Sequence, residues 1–194
     1  LSFIETFRMS ILNSPLGDRG SIFTVPGLYN SGPQHWQTNW EKEYGFTRIE
    51  QKEWETPVCD DWLQTIDDTV TQYPLEELIL ICHSLACCTI VRRAEKYRRI
   101  IKGALLVGPS DVAAPSYPTG TTGFSPMPSY KLPFPSIVIG SSNDEYVTMD
   151  RANYFAGNWG SELINAGDLG HINSSSNLGS WPFGFSQLQK LIQS

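Results

Sequence analysis

The chain has 194 residues, 40% of them hydrophobic and 18% charged, a composition that fits one domain with a buried core and excludes a disordered tail or a coiled coil. The formal net charge is −6 and the one cationic run, Arg92-Arg93 through Arg98-Arg99 to Lys102, is short, which argues against nucleic acid as a partner. No apolar stretch approaches the roughly 20 residues of a membrane span.

Residues 1–20 are expected to be an N-terminal extension preceding a single domain over residues 21–194. Glu5 and Arg8 interrupt the apolar residues there, so the segment does not read as a secretory signal. From residue 21 onward, strand-like and helix-like segments alternate. Ser21 to Val25 reads as a first strand stopped by Pro26-Gly27, and Pro33 to Glu43 as a helix carrying Trp36 and Trp40 at i, i+4. Phe46 to Glu50 is a weaker strand. Pro57 to Gln72 reads as a helix with Asp60 and Asp61 in its first turn and a Trp62, Ile66, Val70 stripe.

Leu78-Ile-Leu-Ile-Cys82 is an unbroken apolar run, the mark of a central strand in a parallel sheet. A helix follows from Leu85 to about Tyr97. Gly103–Val107, Ser136–Gly140 and Glu162–Asn165 read as three more strands, with helices from about Asp150 to Trp159 and from Pro182 to Ile192. Strands separated by helices give right-handed βαβ crossovers. The expected architecture is a doubly wound α/β three-layer sandwich with a mostly parallel sheet of about six strands. One segment breaks the alternation: Pro109 to Pro135 holds seven of the 13 prolines and leaves the carboxyl end of the fourth strand, where open α/β sheets put ligands.

The four cysteines, Cys59, Cys82, Cys87 and Cys88, form no Cys-x-x-Cys pair, which removes the usual zinc signature. They are expected to be buried reduced thiols, as in a cytoplasmic protein. No metal or other cofactor is expected.

Chemistry concentrates at three strand ends. In Cys82-His83-Ser84-Leu85-Ala86, Ser84 occupies a sharp strand-to-helix turn that projects its hydroxyl above the sheet, with Cys82 and Ala86 where glycines are usual. A serine nucleophile needs a base, itself oriented by a carboxylate. Of the three histidines, His83 adjoins Ser84 on the turn and diverges from it, whereas His171 follows the sixth strand. Asp144 follows the fifth strand. The order Ser84, Asp144, His171 is that of an α/β-hydrolase, and each residue leaves the carboxyl end of a different strand. Asp111, after the fourth strand, is a rival for the acid; Asp168 is too near His171 in sequence, and Glu145 adjoins Asp144. The loop Val25-Pro-Gly-Leu28-Tyr-Asn-Ser-Gly32 nominates the Leu28 N–H as one oxyanion donor, with the Leu85 N–H as the other. Tyr29, His35, Trp36, Trp54, Phe124 and Met127 are candidates to line an apolar substrate pocket, although Trp36 at helical spacing also fits a core position.

The chain resembles the small serine hydrolases typified by retinoblastoma-binding protein 9 and the bacterial YdeN-like proteins. The resemblance rests on Val-Pro-Gly27, Ser31-Gly-Pro-x-His-Trp36, Trp54, Asp61-Trp62 and His83-Ser84-Leu85. It continues through Leu106-Val-Gly-Pro109, Leu132-Pro-Phe-Pro135, Ser142-Asn-Asp144, Gly170-His-Ile-Asn173 and Leu178-Gly-x-Trp-Pro182. It implies a minimal α/β-hydrolase with no inserted cap domain, and Ser84, Asp144 and His171 as nucleophile, acid and base. The expected function is cleavage of a small carboxylic ester or amide through an acyl-enzyme. The alternative is a catalytically silent hydrolase-fold protein that binds a protein partner. The Leu-x-Cys-x-Glu segment is absent, Leu80-Ile-Cys-His-Ser84 lacking the glutamate, so the retinoblastoma protein is not carried over as that partner.

Overall fold

Six strands form an all-parallel sheet in the computed structural model, which describes residues 21–194. The strands are β1 (Ile22–Val25), β2 (Thr47–Arg48), β3 (Ile79–His83), β4 (Gly103–Val107), β5 (Ser136–Gly140) and β6 (Glu162–Asn165). Their spatial order is β2-β1-β3-β4-β5-β6. The helices are α1 (Trp36–Tyr44), α2 (Cys59–Val70), α3 (Leu85–Tyr97), α4 (Met149–Trp159) and α5 (Pro182–Gln193). The expected N-terminal extension, residues 1–20, lies outside the described residues.

Strand alternation sorts the side chains into two apolar layers. Phe23, Leu80, Cys82, Ala104, Leu106 and Val138 face α2, α3 and α4, meeting Ile66, Ile90, Phe155 and Trp159. Ile79, Ile81, Leu105, Val107, Ile137 and Ile139 face the opposite way, onto α1 and α5, where Trp36, Trp40, Phe185 and Leu188 cover them. Both faces of β3, β4 and β5 are therefore buried, which explains why these strands read as continuous apolar runs. Each such side chain taken out of water contributes about 1.5–3 kcal/mol before the entropy cost of ordering it.

Register sets the site. Val25 lies beside Cys82, His83 beside Val107, and Val107 beside Ile139, so the strand carboxyl ends share one edge. The strand order reverses direction between β1 and β3, the topological switch point at which a ligand crevice opens.

Element boundaries depart from the sequence reading where side chains intervene. Helix α1 begins at Trp36 rather than Pro33, because His35 caps it: its Nδ1 accepts the Gln37 N–H at 3.2 Å. Strand β2 shrinks to two residues at the sheet edge, while the flanking Phe46 and Ile49 turn inward and are buried. Helix α2 starts at Cys59, since the preceding chain pairs with the proline-rich segment: Thr122 N–H donates to Pro57 O at 2.9 Å and Cys59 N–H to Thr122 O at 2.8 Å.

That segment, 109–135, forms neither strand nor helix but is tied down along its length. Arg92 donates to Phe124 O at 2.8 Å and also to Pro126 O, Trp159 Nε1–H donates to Pro128 O at 2.8 Å, and Leu132 N–H to Trp159 O at 2.9 Å. The only fully buried guanidinium among the described residues, Arg93, joins α3 to α2 through Asp67 at 2.7 Å. All four cysteines are free and buried, and burial pushes the Cys59 thiol up to about 11 and that of Cys88 up to about 12.

Candidate active site

Ser84 sits between β3 and α3 at φ 56°, ψ −120°, in a region that costs a non-glycine residue of order 1–3 kcal/mol. Its N–H donates to Val107 O at 2.9 Å and its carbonyl accepts the Cys87 N–H at 3.0 Å, so the neighbouring strand and the first turn of α3 hold the strained backbone. The turn is packed from below by Gly27. A Cβ there would lie 2.8 Å from both His83 O and Ser84 Cβ, closer than real contacts allow, so the loop after β1 requires glycine at this point. Cys82 and Ala86, in place of the usual glycines, are fully buried in the layer beneath the turn.

Three loops converge on the Ser84 hydroxyl. His171 Nε2 lies 2.8 Å from Ser84 Oγ, and His171 Nδ1 lies 2.9 Å from each Asp144 oxygen. Asp144, whose side chain is fully buried, also accepts the Tyr146 N–H at 2.8 Å. An anionic carboxylate accepts only, so Nδ1 carries the ring proton and Nε2 is left as the acceptor for the serine O–H. Gly108, at the end of β4, takes a left-handed conformation at φ +54° that favours glycine, and a Cβ there would crowd the His171 carbonyl oxygen at 3.3 Å.

The two loops that carry the acid and the histidine are stitched together. Ser141 Oγ accepts the Leu169 N–H at 2.9 Å, and Asn143 Oδ1 accepts the Gly170 N–H at 2.7 Å. Behind them, His83 Nε2–H donates to His171 O at 3.0 Å and Trp36 Nε1–H donates to Ile172 O at 2.8 Å. His83, which the sequence reading set aside as a base, thus anchors the backbone of His171. Burial holds its ring well below the usual histidine range, so it acts as a neutral donor. The ring of His35 lies 4.7 Å from that of His83; burial first, then the charge of Arg48, lowers its pKa to about 3.

The hydroxyl opens onto a cavity of about 230 Å³ whose walls include Leu28, Tyr29, His35, Tyr117 and Tyr146. That is below the usual 300–1,000 Å³ of drug-sized ligand sites. Asn173, Ser174 and Ser175 add a polar side. Leu28 and Ser84 face the same cavity, and Leu85 opens α3, where the first N–H groups have no intrahelical acceptor. Tyr29 and Asn30, both at φ 65°, turn the loop, with their N–H groups donating to Trp54 O and Gly27 O.

Four expected pocket residues lie elsewhere. Trp36 is 1% exposed and packs between Trp40 and Trp181, at ring-centre distances of 4.7 and 5.1 Å. Trp54 packs edge-on against Trp62, which in turn meets the buried Phe124, and Met127 joins the same apolar layer. Large apolar rings gain more from that layer than from a small polar cavity. Of the rival acids, Asp111 binds Arg151 at 2.7 Å and accepts the Ala113 N–H, while Asp168 and Glu145 are exposed.

Ser110, Tyr117 and Tyr146 escaped the sequence reading. Ser110 Oγ lies 2.7 Å from Ser84 Oγ and 3.4 Å from His171 Nε2. Its place three residues after β4, on the edge shared by the other strand ends, was the available signal. Among the described residues, no group of three or more His, Cys, Asp or Glu side chains is placed to hold a metal ion, and no helix is long and apolar enough to cross a membrane.

Solved structures share this fold. A YdeN-like hydrolase of Pectobacterium atrosepticum is 27% identical, with 98% of this chain and 97% of that one covered at a TM-score of 0.82. The ydeN gene product of B. subtilis is 21% identical over 90% of this chain and 100% of its own, at a TM-score of 0.71. Est1E from Butyrivibrio proteoclasticus, solved with ferulic acid bound, superposes at 0.65 with 13% identity over 93% of each chain. A search of curated proteins gave no match. The serine hydrolase family model matches residues 22–190, nearly the whole described chain, and the chain belongs to that family.

Proposed function

We propose that this serine hydrolase cleaves a small carboxylic ester or amide, with Ser84 as nucleophile, His171 as general base and acid, and Asp144 as the orienting carboxylate. The observation that carries the proposal is the continuous contact chain from Ser84 Oγ to His171 Nε2 at 2.8 Å and from His171 Nδ1 to Asp144 at 2.9 Å. Ser84 Oγ attacks the carbonyl carbon as its proton passes to Nε2, and the oxyanion forms within reach of the Leu28 and Leu85 N–H groups. His171 then gives that proton to the leaving oxygen or nitrogen, and the acyl-enzyme remains. Water attacks next, losing a proton to Nε2, which returns it to Ser84 Oγ as the acid product departs.

Ser84 is preferred to Ser110 as nucleophile on two grounds. It is closer to Nε2, at 2.8 Å against 3.4 Å, and it stands at the strained start of α3, where backbone N–H groups and the helix dipole favour negative charge. The cavity of about 230 Å³, with its polar side, supports a short substrate. Four thiols without a disulfide support a cytoplasmic setting. The test is hydrolysis of p-nitrophenyl acetate by the wild-type protein and by Ser84→Ala. Turnover by the first and background rates from the second are expected. Folded wild-type protein with no turnover of esters or anilides would favour the silent, partner-binding alternative.

A further inference from the structure

Ser110 is 1% exposed, and its hydroxyl touches both reacting groups: 2.7 Å from Ser84 Oγ and 3.4 Å from His171 Nε2. Proton accounting fixes its role in the resting site. His171 Nδ1–H is committed to Asp144, so Nε2 accepts the Ser84 proton, and the short contact between the two serines is filled by Ser110 O–H donating to Ser84 Oγ.

That arrangement cannot survive acylation. The Ser84 proton leaves with the departing group, Oγ becomes an ester oxygen and a weak acceptor, and Nε2 is again without a donor. We propose that Ser110 is a positioning residue for the second half of the reaction, holding the hydrolytic water against His171 once Ser84 is acylated; this rests on the reading of Ser84 as nucleophile. Water that donates one proton to Nε2 lies next to Ser110 Oγ, which accepts the other proton and directs the water's lone pair at the acyl carbon. As the C–O bond to water forms, one proton moves to Nε2. As the bond from carbon to Ser84 Oγ breaks, that proton passes to Oγ. Ser110 ends as it began, again donating to Ser84.

A residue acting on water alone separates the two half-reactions. Under acyl-enzyme kinetics, kcat/KM reports acylation and kcat reports deacylation when deacylation is slower. Ser110→Ala is therefore expected to keep the initial burst of one p-nitrophenolate per site from p-nitrophenyl acetate. Its steady-state kcat should fall about 10-fold, with KM falling in parallel and kcat/KM within about 3-fold of wild type. Added hydroxylamine, a stronger nucleophile than water, should restore most of the turnover. Ser110→Gly, which removes the same hydroxyl and adds no atom, carries the same expectation if the alanine variant does not fold.

Equal losses in kcat and kcat/KM with no rescue by hydroxylamine would mean that Ser110 only shapes the turn, and the proposal would fail. Deacylation at the wild-type rate in either variant would also overturn it. Fluorophosphonate labelling of wild-type protein keeps the two readings apart: an adduct on Ser110, or none on Ser84, refutes the nucleophile assignment itself.

Discussion

Replacing Asp144 by Asn exchanges one carboxylate oxygen for an NH₂ group at the centre of the site and leaves its shape alone. Asp144 Oδ1 accepts the Tyr146 N–H at 2.8 Å, and both carboxylate oxygens lie 2.9 Å from His171 Nδ1. In the variant, the amide oxygen stays with Tyr146 and the NH₂ group meets Nδ1. Nδ1 must then be the acceptor, the ring proton moves to Nε2, and Nε2 no longer takes the Ser84 proton. In the serine-protease triad this tautomer error lowers kcat by ~10⁴, about 5.4 kcal/mol at 1.36 kcal/mol per decade. A loss of that order in kcat for p-nitrophenyl acetate is expected from Asp144→Asn, with the thermal midpoint within a few degrees of wild type. Asp111→Asn is the control. It breaks an ion pair to Arg151, whose side chain is 42% exposed, so stability changes by ~0–1 kcal/mol and turnover stays within about 3-fold. If Asp111→Asn lost activity and Asp144→Asn kept it, the assignment of the acid would be wrong.

Stability should fall steeply with acid. His35 and His83 are held neutral by burial, His35 with a pKa of about 3, while both titrate near 6.5 when unfolded. The unfolded state binds more protons between those values, so stability is complete above pH 6.5 and declines as pH drops toward 3, by up to ~1.4 kcal/mol per pH unit per histidine. Urea melts from pH 7 to 4.5 test this, and His35→Asn, which keeps a capping acceptor, should flatten the slope by one proton. Gly27→Ala places a methyl 2.8 Å from Ser84 Cβ; it should destabilise by ~1–3 kcal/mol and lower kcat/KM at least 10-fold, read by melting and ester hydrolysis. Asp67→Ala strands the buried Arg93 guanidinium and should cost about 3–5 kcal/mol in urea, with little change in kcat if the variant is assayed folded.

Those residues also mark how far the sequence could be read. The runs at Leu78–Cys82, Gly103–Val107 and Ser136–Gly140 announce buried parallel strands because both of their faces are covered, and the structure places strands there. The fold follows from that pattern with little else. Positions fixed by long-range contacts were illegible. Trp36 looks equally like a core or a pocket residue in sequence; only the hydrogen bond to Ile172 O, 136 residues away, shows that it braces the loop carrying His171. The position of Ser110 after β4 and of His83 on the turn is visible in the sequence, but what each touches is not: it depends on the strand register that sets His83 beside Val107 and on the loops that bring His171 to both. Phe124 and Met127 were expected at the cavity, yet they lie in a segment whose path is set by Arg92 and Trp159 rather than by its own periodicity.

The central claim is that Ser84 is the residue that becomes covalently acylated. Incubating the folded protein with a fluorophosphonate and mapping the adduct by peptide mass spectrometry tests it directly. One adduct on the peptide that contains Ser84, absent when the protein is first unfolded and absent in His171→Ala, is the predicted result. An adduct on Ser110, or no adduct on folded protein that hydrolyses esters, would contradict it.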